Sequence, residues 1–194
     1  MAISPAPAIA VLCSGQGTNF QAILDSIRRR RLRARVSLMA TDNPSAFALV
    51  RAQRGKVPAV FISPRSAPSR EAFDRALARV IEKSGARLIV LAGFMRILSP
   101  WFVRRFRGRI LNIHPALLPA FPGAHAVRDA LKQKAKVTGV TVHFVDEQVD
   151  HGPVLLQATV PVRKRDTEKT LLTRIHRVEH RLYPKAIQLV LEGL

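Results

Sequence analysis

The sequence predicts an α/β fold: a doubly wound, mainly parallel sheet of Rossmann-like type, with an antiparallel strand pair near the C-terminus and a long final helix. Three observations predict it. Apolar runs of strand length at 8–13, 36–40, 59–62, 88–92 and 110–113 are continuous rather than alternating, the pattern of strands covered on both faces. Stretches of helical period stand between them, and that β-α-β alternation is the signature of a doubly wound sheet. The last two runs, 140–145 and 154–160, are joined by a loop holding Asp150, His151, Gly152 and Pro153 with no room for a crossover helix, so they pair antiparallel.

Taken in order, strand 8–13 ends at Cys13 and passes through Ser14-Gly15-Gln16-Gly17 into helix 18–30. Strand 36–40 leads to helix 46–54, strand 59–62 to helix 69–84, strand 88–92 to helix 100–106, and strand 110–113 to helix 126–132. After the antiparallel pair, a helix from about 167 to 191 closes the chain. At 194 residues and 47% hydrophobic, the chain builds one domain, 1–194, with 1–7 as an N-terminal extension. That extension carries no basic residue, and run 8–13 is too short for a signal or a membrane span, so a cytoplasmic protein without a membrane partner is expected. One cysteine, Cys13, excludes an internal disulfide and a cysteine-based zinc cluster. Either a monomer or a homodimer fits these numbers.

The formal charge is +19, from 32 Lys and Arg against 13 Asp and Glu, with a run of four arginines at Arg28–Arg31. Such a field draws anions of any kind. Aromatic residues to interleave with the cations are scarce, one Tyr, one Trp and nine Phe, so a solvated basic face is favoured over a nucleic-acid partner.

Four places invite a chemical reading. Gly15 and Gly17 precede Thr18 and Asn19 where helix 18–30 begins, and unpaired N–H groups at a helix start favour an anion such as phosphate. The stretch lacks the third glycine of a dinucleotide fingerprint and the Gly-Lys-Ser/Thr of a P-loop. Asn112 and His114 share one face at the carboxyl end of their strand, and Pro115 and Pro119 fix the backbone just beyond. They form either a structural pair or a set of oxyanion donors with a proton carrier. Asp150 is either a turn residue beside Gly152-Pro153 or, if its loop folds over the strand, the partner of a His114 imidazolium. His176-Arg177-Val178-Glu179-His180 matches a zinc-peptidase pattern, but the only acid after it, Glu192, lies on the same helix. No metal is therefore expected.

Together these residues resemble the folate-dependent phosphoribosylglycinamide formyltransferases. The resemblance runs through Ser14-Gly15-Gln16-Gly17-Thr18-Asn19, Leu91-Ala92-Gly93-Phe94-Met95-Arg96-Ile97-Leu98-Ser99-Pro100, Leu111 to Pro119, Thr141-Val142-His143-Phe144-Val145 with Asp150-x-Gly152-Pro153, and Glu179-His180-x-x-Tyr183-Pro184. It implies a formyltransferase fold that takes 10-formyltetrahydrofolate as co-substrate and glycinamide ribonucleotide as acceptor in purine (IMP) biosynthesis. It places the substrate phosphate on Gly17, Thr18 and Asn19, the rest of the ribonucleotide on Glu179, and catalysis on Asn112, His114 and Asp150. The folate falls on Arg70, on Met95, Arg96, Ile97 and Leu98, and on the loop Val145, Asp146, Glu147, Gln148 and Val149. The chain departs from the family at Ala116, where Ser is common, at His151, where a small residue is usual, and at Val127, where many members have a second His near His125. It also ends sooner after the final helix than many relatives. A 10-formyltetrahydrofolate hydrolase would be expected to carry an extra N-terminal domain, and a methionyl-tRNA formyltransferase a C-terminal RNA-binding domain. A basic nucleic-acid-binding protein on an enzyme scaffold is the non-enzymatic alternative.

Overall fold

The computed structural model describes residues 5–193, so residues 1–4 of the expected extension, and Leu194, lie outside it. The strands are β1 (Ala8–Leu12), β2 (Arg35–Thr41), β3 (Ala59–Phe61), β4 (Leu88–Leu91), β5 (Ile110–His114), β6 (Val137–Phe144) and β7 (Val154–Pro161). The helices are α1 (Thr18–Arg28), α2 (Phe47–Arg54), α3 (Arg70–Lys83), α4 (Pro100–Arg105), α5 (Ala126–Lys132) and α6 (Glu168–Glu192). They form one seven-stranded sheet in the order β3-β2-β1-β4-β5-β6-β7. Strands β1 to β5 are parallel to one another, while β6 runs antiparallel to both β5 and β7. The antiparallel part is thus wider than the predicted pair, because β6 continues the sheet directly from the site-bearing β5.

Pleating divides the central strands between two cores. Ile9, Val11, Leu88 and Val90 point to the face covered by Phe20 and Ile23 of α1, Ala48 and Ala52 of α2, and Leu171, Ile175 and Ile187 of α6. Ala10, Leu12, Ile89 and Leu91 point to the other, with Phe73, Leu77 and Ile81 of α3 and Phe102 of α4. Each such fully buried large side chain contributes about 1.5–3 kcal/mol over exposure.

Local signals set the helix ends. Ser69 and Ser99 cap α3 and α4, and Pro100 occupies the first turn of α4, where its missing N–H costs nothing. Thr167 and Thr170 cap one another at the start of α6. Helix α1 stops at Arg28 rather than Arg30, because Arg30 takes a left-handed φ of 57°. The N–H groups of Arg30 and Arg31 return to the carbonyls of Ile27 and Ser26, a Schellman closure. Strand β3 also differs from its expected double burial: it is three residues long and lies at the sheet edge with Phe61 40% exposed. Its apolar run packs only in part.

Tyr183 rivets α6 to the sheet. It is fully buried, and its hydroxyl meets the carbonyls of Leu91 and Leu111 at 2.8 and 2.9 Å. The Leu91 carbonyl ends β4 and the Leu111 carbonyl lies within β5, so the final helix braces the two strands whose ends carry the site.

Candidate active site

The winding of the sheet reverses beside β1, and in such sheets ligands bind at the carboxyl ends of the strands flanking the reversal. The loops leaving β1 and β4 meet there. Ser14 N donates to the Gly93 carbonyl at 2.9 Å, Met95 N donates to Ser14 Oγ at 2.8 Å, and Ser14 Oγ donates to Asp42 at 2.6 Å. The predicted anion loop is therefore tied to the Met95–Leu98 segment.

Gly17 sits at the N-cap of α1 with φ 65° and supplies no side-chain cap, and no acid lies in the first turn. The leading N–H groups of α1 stay open to an anion. A Cβ at Gly17 would lie 2.9 Å from the Ala48 Cβ, so both backbone and packing require glycine there. Asn19, buried, donates from Nδ2 to Glu179 at 2.9 Å, joining two predicted residues 160 positions apart. The Asn19 Oδ1 has no protein partner. Burial pushes the Glu179 carboxyl up, opposed by the Asn19 hydrogen bond and by His176, 3.9 Å away.

Asn112, His114 and Asp150 converge. Asp150 folds back with a left-handed φ of 54° and places Oδ2 3.3 Å from His114 Nδ1. Its Oδ1 lies 3.5 Å from Asn112 Nδ2, the outer limit of a hydrogen bond. Gly123 N donates to Asp150 Oδ2 at 2.8 Å. Gly152 makes this turn feasible, since a Cβ there would run into the Phe144 carbonyl. Burial pushes the Asp150 carboxyl up, but the adjacent His143 ring, the Gly123 N–H and the charge of His114 outweigh it and hold the group below the ordinary aspartate range. His114 is buried, and its Nε2 contacts the Phe121 carbonyl at 2.8 Å. Both ring nitrogens thus face acceptors, an arrangement satisfied in full by an imidazolium and only in half by a neutral ring.

Sequence reasoning missed His143 as a site residue. In the β5–β6 register it stands opposite Asn112, with Thr141 opposite His114. Its Nδ1 meets the Phe144 carbonyl at 2.9 Å, and its Nε2 lies 3.2 Å from Asn112 Nδ2 and 3.7 Å from Asp150 Oδ1. With Nδ1 donating to the Phe144 carbonyl, Nε2 of a neutral His143 accepts from the Asn112 amide. The period-two spacing of Thr141 and His143 was readable. Their pairing with β5 was the missing piece.

A cavity of about 290 Å³ opens beside Asp150, lined by Leu118, Pro119, Pro122, Gln148, Val149 and His151 among others. Met95 and Ile97 are 73% and 60% exposed, whereas Leu98 is buried. Arg96 lies over the Phe73 ring at 4.7 Å with its Nε unpaired. Arg70 and Arg96 both act on the buried Asp74, whose carboxyl burial pushes up and which accepts from Ser99 N at 2.6 Å. The Val145–Val149 loop is fixed at one end by Val145 N on the Ile110 carbonyl, and Arg104 pairs with Glu147 at 3.1 Å. His151, a departure from the family pattern, pairs with Asp146 at 2.8 Å and pins the loop across itself.

The other departures are internal. Ala116 and Val127 are buried, and the Ala116 carbonyl accepts from Thr141. His125 is exposed at the start of α5. The rings of His176 and His180 stack 6.0 Å apart. Among the described residues no group of three or more His, Cys, Asp or Glu is placed to hold a metal ion, and no helix is long and apolar enough to cross a membrane.

Known proteins share this arrangement of chain. The family model described as formyl transferase matches residues 8–187. The Escherichia coli (strain K12) protein named phosphoribosylglycinamide formyltransferase is 42% identical over 185 residues, covering 95% of this chain and 87% of that protein. The crystal structure of glycinamide ribonucleotide transformylase 1 from Symbiobacterium toebii superposes with a TM-score of 0.96 at 49% identity, over 98% of this chain and 90% of that one. The trifunctional purine biosynthetic protein adenosine-3 of Drosophila pseudoobscura pseudoobscura is 44% identical over 195 residues, of which this chain spans 14% of the length. By its sheet, by the loops joined at the ends of β1 and β4, and by these likenesses, the chain belongs to the formyl transferase family, in its phosphoribosylglycinamide formyltransferase branch.

Proposed function

We propose that this chain transfers the formyl group of 10-formyltetrahydrofolate to the amine of glycinamide ribonucleotide. The observation that carries the proposal is the convergence of Asn112, His114 and Asp150 beside a cavity, next to a loop whose helix N–H groups await an anion. The ribonucleotide phosphate sits on Gly17, Thr18 and Asn19, with Glu179 held by Asn19 to receive the rest of that substrate. The folate lies against Met95, Arg96, Ile97 and Leu98 and under Val145, Asp146, Glu147, Gln148 and Val149, with Arg70 on its side of the site.

The amine nitrogen attacks the formyl carbon and the carbonyl oxygen becomes an oxyanion. Asn112 and protonated His114 donate to it, each worth on the order of 3 kcal/mol. The oxyanion takes the place at His114 Nε2 that the Phe121 carbonyl occupies at 2.8 Å. Asp150 keeps His114 charged and assists movement of the proton from the attacking amine to the departing folate nitrogen, whose bond to carbon then breaks. No step needs a metal. The chemistry belongs in the cytoplasm, where both substrates would be met.

The test is formyl transfer measured with purified protein, 10-formyltetrahydrofolate, and glycinamide ribonucleotide present or withheld. Product must require the ribonucleotide. Deformylation at the same rate without it would make the chain a hydrolase, and no reaction in either case would overturn the proposal.

A further inference from the structure

Away from the catalytic residues, a groove of about 850 Å³ runs between α1 and α6. It starts at Thr18 and continues along the helices to Arg29, Arg31 and Glu192. Along α1 that is on the order of 15 Å. Only the Thr18 end belongs to the phosphate cradle described above. We propose that the rest of the groove binds a linear oligophosphate.

Apart from Arg51, which donates to the Gln16 carbonyl and to Gln21, its cationic side chains are left uncommitted. Arg29, Arg31, Arg181 and Lys185 line it. None of the four forms an ion pair among the described residues, and Arg181 is engaged only through Nε with the Arg177 carbonyl. The two acids in the lining are already occupied: Asp25 accepts from Gln21 and lies 3.7 Å from Arg28, and Glu192 accepts from Gln188 at 2.8 Å. The four cations are exposed, on backbone that is held in place. The Schellman closure sets the Arg29–Arg31 turn, buried Leu32 anchors it, and Arg33 N donates to Gln188 of α6 at 2.7 Å. On α6, residues 181, 185, 188 and 192 share one face by helical spacing.

Two features choose among anions. Arginine forks match phosphate oxygens in pairs, so a phosphate ligand suits this set. Ala22, Pro184 and Leu189 supply apolar floor, yet no Phe, Tyr or Trp lines the groove, and its one ring, His180, is stacked on His176, whereas single-stranded nucleic acid needs several free rings to stack its bases. The volume is within the range of small-ligand sites. A short chain of phosphates, carried by a nucleoside or free, fits both.

Calorimetric titration with ATP and with inorganic tripolyphosphate tests this on the whole protein at low salt. Saturable binding is expected, weakened at least roughly tenfold in an Arg29→Glu, Lys185→Glu double variant, since charge-assisted bonds give way to repulsion. Formyl transfer by that variant should stay within about twofold of the parent, which also reports that it folds. Tighter binding of ATP identifies a nucleoside polyphosphate, and equal binding a free phosphate chain; either supports the site. Absence of binding, binding unchanged in the double variant, or complete displacement by saturating glycinamide ribonucleotide would overturn it. Because binding is read directly, the result is independent of whether the proposed formyl transfer holds.

Discussion

The chemistry at the residue scale turns on one carboxylate in an unusual backbone position. Asp150 reaches His114 only because it accepts a left-handed φ and because Gly152 lets the loop pass the Phe144 carbonyl. Replacing it with Asn keeps the shape but removes the charge that stabilises the imidazolium. Asp150→Asn should lower kcat by roughly 10²–10⁴-fold, the range for loss of a positioned acid–base group, while ribonucleotide binding stays nearly constant. Steady-state kinetics with a separate binding titration decide this, and near-normal turnover would remove Asp150 from the mechanism. At Gly17 the opposite split is expected. Gly17→Ala forces a side chain into φ 65° and against Ala48, so it should cost about 1–3 kcal/mol in urea unfolding and raise KM for the ribonucleotide more than for the folate. An unchanged ribonucleotide KM would show that the phosphate does not rest on this turn.

At the element scale, the join between β7 and α6 offers a pH test. Asp166 accepts a forked pair from Arg174 at 2.7 and 2.9 Å, together with the Arg163 N–H, and Arg174 also donates to the Pro161 carbonyl of β7. Those bonds hold the Asp166 carboxyl well below the usual range. A depressed folded pKa means the unfolded chain takes up the proton first as pH falls. The stabilisation is therefore full above the unfolded value of about 3.9 and fades as pH drops from there through the folded one. Asp166→Asn should have a lower urea midpoint than the parent at pH 6, and the gap should begin to narrow below about pH 4 and shrink steadily with further acidification. A gap independent of pH would assign the effect to packing rather than charge. The same scale shows what the sequence could and could not disclose. Central strands were legible because burial on both faces leaves continuous apolar runs, as in Ala8–Leu12 and Leu88–Leu91. The edge position of β3 was not, since its run looks the same whichever side lacks a neighbour. Asn112 and His114 were visible as a pair on one strand face. His143 became a partner only through strand pairing, and Asp150 only through the fold of its loop, both of which are contacts between distant segments.

At the scale of the whole molecule, the surplus of 32 basic over 13 acidic side chains exceeds what two anionic substrates need for binding. It creates a field that acts before contact. The ribonucleotide phosphate carries the charge that such a field, summed over the whole surface, attracts. Steering of this kind acts on encounter, so it belongs to kcat/KM, whereas the chemical step in the partly buried triad is shielded. Raising ionic strength from about 0.01 M to 0.1 M shortens the screening length from about 30 Å to 10 Å. Over that interval kcat/KM for the ribonucleotide should fall by about tenfold, the lower end of measured steering effects, with kcat nearly constant. Initial rates across a salt series at fixed pH read both quantities. If kcat/KM proves flat, the charge does not steer substrate; if kcat falls in step, salt acts on the catalytic residues and not on approach.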